Sequence, residues 1–226
     1  MAEATVVTRS SLRTPKAAAV AGILFSVLLV AVLGLFRLSV PADPLDSGAW
    51  LANNAGIVAL ALNLMPFAGI AFLWFIGVLR DRLGHQEDRF FATVFFGSAL
   101  LFLAMLFASA AVIGAVVLAF TADPDAIAHS ATLHLARALA YILANVYAVK
   151  MAGVFMISLS TVILRTRIAS RWIAILGFVL ALILILGSYY LSWSFLVLPI
   201  WVLLISIHIL IDNYRPTLGP SLDKPG

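Results

Sequence analysis

Apolar residues run along this chain in continuous stretches. They do not alternate as in a half-buried strand, and they do not form the one-sided stripe of a surface helix. Six stretches stand out, at 16–38, 55–79, 90–120, 132–164, 172–191 and 195–211. At about 1.5 Å per residue, helices of these lengths match a hydrocarbon core ~30 Å thick. A spanning β-barrel would need alternating segments of ~10 residues, and these runs are uninterrupted. The pattern predicts an all-α, polytopic transmembrane bundle of six helices over 16–212, with a tail at 1–15 and another at 213–226.

The first run has a second reading. Arg9, Arg13 and Lys16 precede it and Val40-Pro41-Ala42 follows it, the outline of a cleavable leader. Its apolar core at 17–35 is longer than the ~7–15 residues usual for a leader, so an uncleaved first span is expected.

Punctuation refines the spans. Pro15 suits the first turn of the first helix. Residues 40–54, with Asp43, Asp46 and Trp50, read as a loop whose tryptophan sits at the membrane interface. Pro66 lies inside the second run and is expected to kink it. The third and fourth runs exceed the ~20 residues a bilayer core needs, so they tilt or project as a long central hairpin. Small residues recur on both: Ala104, Ala108, Ala111, Ala115 and Ala119 on the third; Ala136, Ala140, Ala144, Ala148 and Ala152 on the fourth. That spacing predicts a close antiparallel pair at the centre of the bundle. Only Ser192, Trp193 and Ser194 separate the last two runs, which therefore form a hairpin.

Composition agrees: 64% of the 226 residues are hydrophobic and 11% charged, against roughly 25% charged in soluble domains. The net charge of +4 comes from basic residues in short loops, without the interleaved aromatics of a nucleic-acid surface. Apart from Arg37 and Arg137, every basic residue outside the spans lies in the tails or in the loops at 80–89 and 165–171. The positive-inside rule then places both termini in the cytoplasm. The absence of cysteine excludes disulfides and thiol chemistry. No three-plus-three repeat of the inverted-transporter kind is visible.

Lys150 is the one lysine inside a predicted span, costly in a membrane and so a candidate for function. By depth it groups with Asn63, Asn145, Tyr147 and Tyr189. The expectation is an outward-facing polar ligand site lined by those five residues; the alternative is that Lys150 snorkels to the headgroups. No acid lies at its depth, which favours an anionic or carbonyl-bearing ligand. A second polar face of the same helix carries His134, Arg137 and Tyr141 with Asn145.

Other chemistry is weaker. Asp123, Asp125, His129 and His134 have zinc-binding residue types without diagnostic spacing, so a solvated acidic loop is expected and no metal. His85, His129, His134 and His208 form no haem-type pair, and six spans do not suit a retinal-type Schiff base. No cofactor is expected. Patterns for intramembrane catalysis are missing, and Ser158, Ser160 and Thr161 are expected to bond their own helix, so an enzyme is not expected.

The stretches at 62–103, with LNLMPFAGIAFLWF, and 170–210, with SRWIAILGFVLALILILGSYYLSW, resemble a family of uncharacterised six-span membrane proteins of actinobacteria. The overall plan is similar to the DUF4386 family of bacterial integral membrane proteins. The resemblance implies a bacterial plasma-membrane location and carries no activity or site residues. Two function classes follow: a protein that binds or transports a small anionic or polar solute, and an accessory subunit docked on a partner membrane protein. Self-association into a homo-oligomer is compatible with either.

Overall fold

The structure is a computed structural model. It describes residues 14–41, 43, 48–83, 89–128, 130–166, 168–187 and 193–214, and among these every regular element is helical. The elements are α1 (Thr14–Ser39), α2 (Ala49–Leu83), α3 (Arg89–Ala122), the short α4 (Pro124–Ala128), α5 (Ala131–Thr166), α6 (Arg171–Gly187) and α7 (Val197–Tyr214). A π-helical turn, Leu143–Ala148, interrupts α5, and a 3₁₀ turn, Ser194–Leu196, leads into α7. α1, α2, α3, α5 and the segment Ser194–Asp212 are long and apolar enough to cross a membrane, while α6 is apolar but shorter. The expected tail at 1–15 up to residue 13, His85, His129, Tyr189 with Ser188 and Tyr190, and the tail from 215 lie outside the described residues.

The helices follow one another around the bundle. α1 lies along α2 on one side and α7 on the other; α3 bridges α2 and α5; α6 rests on the second half of α5 and touches α7. With lipid as apolar as the side chains, association depends on close fit. Phenylalanines supply it at the centre. Phe72 of α2 lies 4.4 Å from Phe25 of α1, 5.6 Å from Phe102 of α3 and 5.3 Å from Phe155 of α5, between ring centroids. Elsewhere glycine allows closer approach. A Cβ on Gly177 of α6 would collide with Ser160 of α5 and the Trp201 ring of α7. Trp201 fills that notch and donates its indole N–H to the Ile173 carbonyl at 3.1 Å.

Two expectations are corrected. α2 begins at Ala49, so Trp50 is inside a helix and buried at 8% exposure instead of lying in an interfacial loop. The α3–α5 pair exists, but Ala104, Ala111 and Ala115 of α3 are exposed and stand outside it, while Ala108 and Ala119 are half-buried. α3 turns Phe102, Leu103, Leu106, Ser109 and Ile113 inward instead. On α5 the small residues Ala140, Ala148 and Ala152 are buried as expected. Bulky side chains on one helix against small ones on the other fill the interface better than two small stripes would.

Two apolar clusters result. The larger fills the middle of the bundle. The smaller, with Trp50, Leu51, Ile113, Val116 and Leu133, caps the end where α1 finishes and α5 begins.

Candidate functional site

The site is built on the first half of α5. Ser130 caps that helix, its hydroxyl accepting the Leu133 N–H at 3.1 Å, which satisfies one of the free donors of the first turn. Two turns in, Arg137 is 3% exposed. Its Nη2 donates to the carbonyls of Pro41 at 3.0 Å and Asp43 at 2.6 Å, and the guanidinium lies 5.6 Å from the centroid of Trp50. Hydrogen bonds from a charged donor contribute about 1.5–3 kcal/mol and offset part of the cost of burying the charge. Arg137 therefore pins the α1–α2 connection onto α5. Two backbone ties reinforce this end. Gly48 N–H donates to Ala128 at 2.8 Å, and a Cβ at Gly48 would lie 2.9 Å from the Ala128 Cα. The Asn54 amide donates to the Ser39 carbonyl at 3.0 Å.

One turn below Arg137 comes the π turn. Such a turn holds one residue more than an α turn, and it commonly marks a functional site. Asn145 sits within it and donates its side-chain amide to the Tyr141 carbonyl at 3.1 Å. The extra residue sets back by roughly 100° the rotation of everything that follows. Tyr141 before the turn, Ala144 and Asn145 within it and Val149 and Ala152 after it share one face.

That face forms one wall of a cavity of about 330 Å³, within the range of small-ligand sites. α1 contributes Leu29, Leu33, Phe36 and Arg37; α3 contributes Phe102, Leu106, Ser109 and Ile113; Met65 of α2 and Phe195 and Leu198 at the start of α7 complete the wall. The cavity lies where the two apolar clusters fail to merge, since it takes residues from both. Polar groups at that seam explain the gap. Ser109 is committed to the Ala140 carbonyl at 2.8 Å, Arg137 to the connection, and Asn145 to its own helix. Arg37 is exposed and stacked 5.7 Å from the Trp193 ring.

The predicted residues are distributed as follows. Asn145 lines the cavity, and so do Arg137 and Tyr141 of the second polar face. Lys150 is exposed, and Tyr147 is 55% exposed; neither lines it. Asn63 is exposed and donates to the Ala59 carbonyl of its own helix at 2.8 Å. His134 is half-buried and outside the cavity wall. Tyr189 is outside the described residues. Of the described residues in the expected grouping around Lys150, Asn145 alone lines this cavity.

Arg37 and Ser109 were not anticipated. Arg37 did carry a signal: with Arg137 it is one of two basic residues that break the charge asymmetry of the chain, and these two meet at one cavity.

Among the described residues no three His, Asp or Glu side chains come together to hold a metal. Asp123 caps α4 instead, its carboxylate accepting the Ala126 N–H at 3.1 Å. His208 shares a hydrogen bond with the Ser170 hydroxyl at 3.0 Å. Ser158 and Thr161 donate to carbonyls one turn back, at 3.0 and 2.9 Å, whereas Ser160 finds no partner.

Comparison with protein-family models, with curated proteins and with solved structures finds no match, so the function rests on the geometry of this cavity.

Proposed function

We propose that this chain is a six-span protein of a bacterial plasma membrane, with both termini cytoplasmic, that binds and moves a small anionic solute through the cavity beneath Arg37 and Arg137. One observation carries the reading: two arginines, Arg37 and Arg137, line the same largely apolar cavity. Fixed positive charge in a site of low dielectric concentrates anions.

The membrane arrangement is supported by chemistry. α6 has 17 residues, the lower end of what spans a bilayer, and it lies close enough to α5 that a Cβ on Gly153 would be 3.1 Å from the Ala181 carbonyl. Counting it as a span returns the chain to its starting side, and the basic loops then make that side cytoplasmic. The cavity end of the bundle faces outward. In this reading the cationic role falls to Arg37 and Arg137 instead of Lys150, and Asn145 keeps its place in the wall.

Native mass spectrometry of the full chain, purified from its own membrane in nonionic detergent, tests the reading. A small acid bound one to one is expected, with occupancy lowered about tenfold in Arg37→Gln and unchanged in Lys150→Met. Equal occupancy in Arg37→Gln would refute it. A stoichiometric second polypeptide in the spectrum would instead favour a complex subunit.

A further inference from the structure

The cavity has a direction. On α1 its wall runs from Leu29 to Pro41, on α3 from Ile113 back to Phe102, and on α5 from Arg137 to Ala152. Arg37, Arg137 and Pro41 mark one end; Leu29, Phe102, Val149 and Ala152 mark the other. Between Leu29 and Val40 the helical rise alone gives a length of roughly 16 Å. A cavity of about 330 Å³ drawn out over that length is narrow, and it is at the small end of ligand sites, which suits one hydrocarbon chain better than a two-chain phospholipid.

The chemistry is graded along the same axis. Arg37 and Arg137 line the charged end. Ser109, Tyr141 and Asn145 come next, and Ser109 and Asn145 are already committed to helix carbonyls at 2.8 and 3.1 Å. Below them the wall is Leu29, Met65, Phe102, Leu106 and Val149. A compact, fully hydrated anion would use only the charged end and would leave the apolar slot empty.

We propose that the ligand is a single-chain amphiphile with an anionic head, the head held by Arg37 at the end of the cavity that Arg137 also lines, and the chain lying in the slot between α1, α3 and α5. This rests on the reading of the cavity as an anion site and specifies its substrate class. The head is a carboxylate or a phosphate, both of which accept from guanidinium donors.

The test is a titration of the purified full chain in nonionic detergent, read as adducts per chain by native mass spectrometry. The probes are acetate, butyrate, octanoate, dodecanoate and hexadecanoate, with the matching alkyl phosphates. One saturable site is expected, its affinity rising up to about fourfold per methylene and then levelling once the slot is full. Arg37→Gln should weaken every chain length by a similar factor. Ala144→Leu, which narrows the slot from a half-buried position, should move the plateau to shorter chains without weakening butyrate. Saturable binding with no dependence on chain length would overturn the amphiphile and leave the anion site standing. No saturable binding of any probe would overturn both. A plateau that stays put in Ala144→Leu would show that the chain does not lie in this slot.

Discussion

Arg137 and Asp43 are 94 residues apart in the chain, yet the Arg137 guanidinium donates to the Asp43 carbonyl at 2.6 Å. With the Pro41 contact it ties the chain just after α1 to α5 beside the cavity. Arg137→Met should therefore lower stability by about 3 kcal/mol, because two carbonyls lose a charged donor at a buried site. Arg137→Lys should recover only part of that, since an ammonium cannot reproduce the planar fork. Denaturant titration in mixed micelles, followed by helical circular dichroism, reads both.

The Gly177 notch gives a second prediction. Gly177→Ala drives a methyl into the Trp201 ring and the Ser160 hydroxyl, and overpacking of this kind costs about 1–3 kcal/mol. Ser160→Ala removes a buried hydroxyl that has no partner and should be close to neutral alone. Combined with Gly177→Ala it should restore part of the loss. The coupling is read from a double-mutant cycle.

Lys150→Met supplies the contrast. An exposed side chain away from the cavity should change stability by less than about 0.5 kcal/mol and leave ligand occupancy as in the parent. Occupancy that falls in Lys150→Met but holds in Arg37→Gln would move the site to the outer face of α5.

The π turn supplies a fourth. Asn145→Ala loses one hydrogen bond, worth about 1 kcal/mol. Deleting one residue within Leu143–Ala148 should return that turn to α geometry and leave Val149 and Ala152 in the wall, because the residues after a π turn already stand where an α-helix one residue shorter would put them. The deletion should fold, since the lower half of α5 is held by Phe155, and should keep its ligand occupancy.

The apolar runs were legible because a bilayer demands length and apolarity and little else. Five became helices long enough to span, and the sixth the shorter α6. What faced what was less legible. The α3 alanines have the spacing of an interface, but spacing does not say which side of a helix meets a partner, and here Phe102 and Leu106 do so. The π turn leaves no mark in residue types. Without it, an α-helical projection put Lys150 nearly opposite His134 and encouraged a second polar site. Arg137 and Tyr141 were placed on one face correctly because both precede the slip.

The charge of the cavity is the claim on which the rest depends, and the chain's lack of cysteine allows it to be measured directly. Ala144→Cys would place a single thiol in the wall, to be labelled with anionic and cationic methanethiosulfonates of similar size in intact cells. The account predicts faster labelling by the anionic reagent, with that preference largely lost in Ala144→Cys combined with Arg37→Gln. Labelling that is equal for both reagents, or faster for the cationic one, would contradict an anion site beneath Arg37 and Arg137.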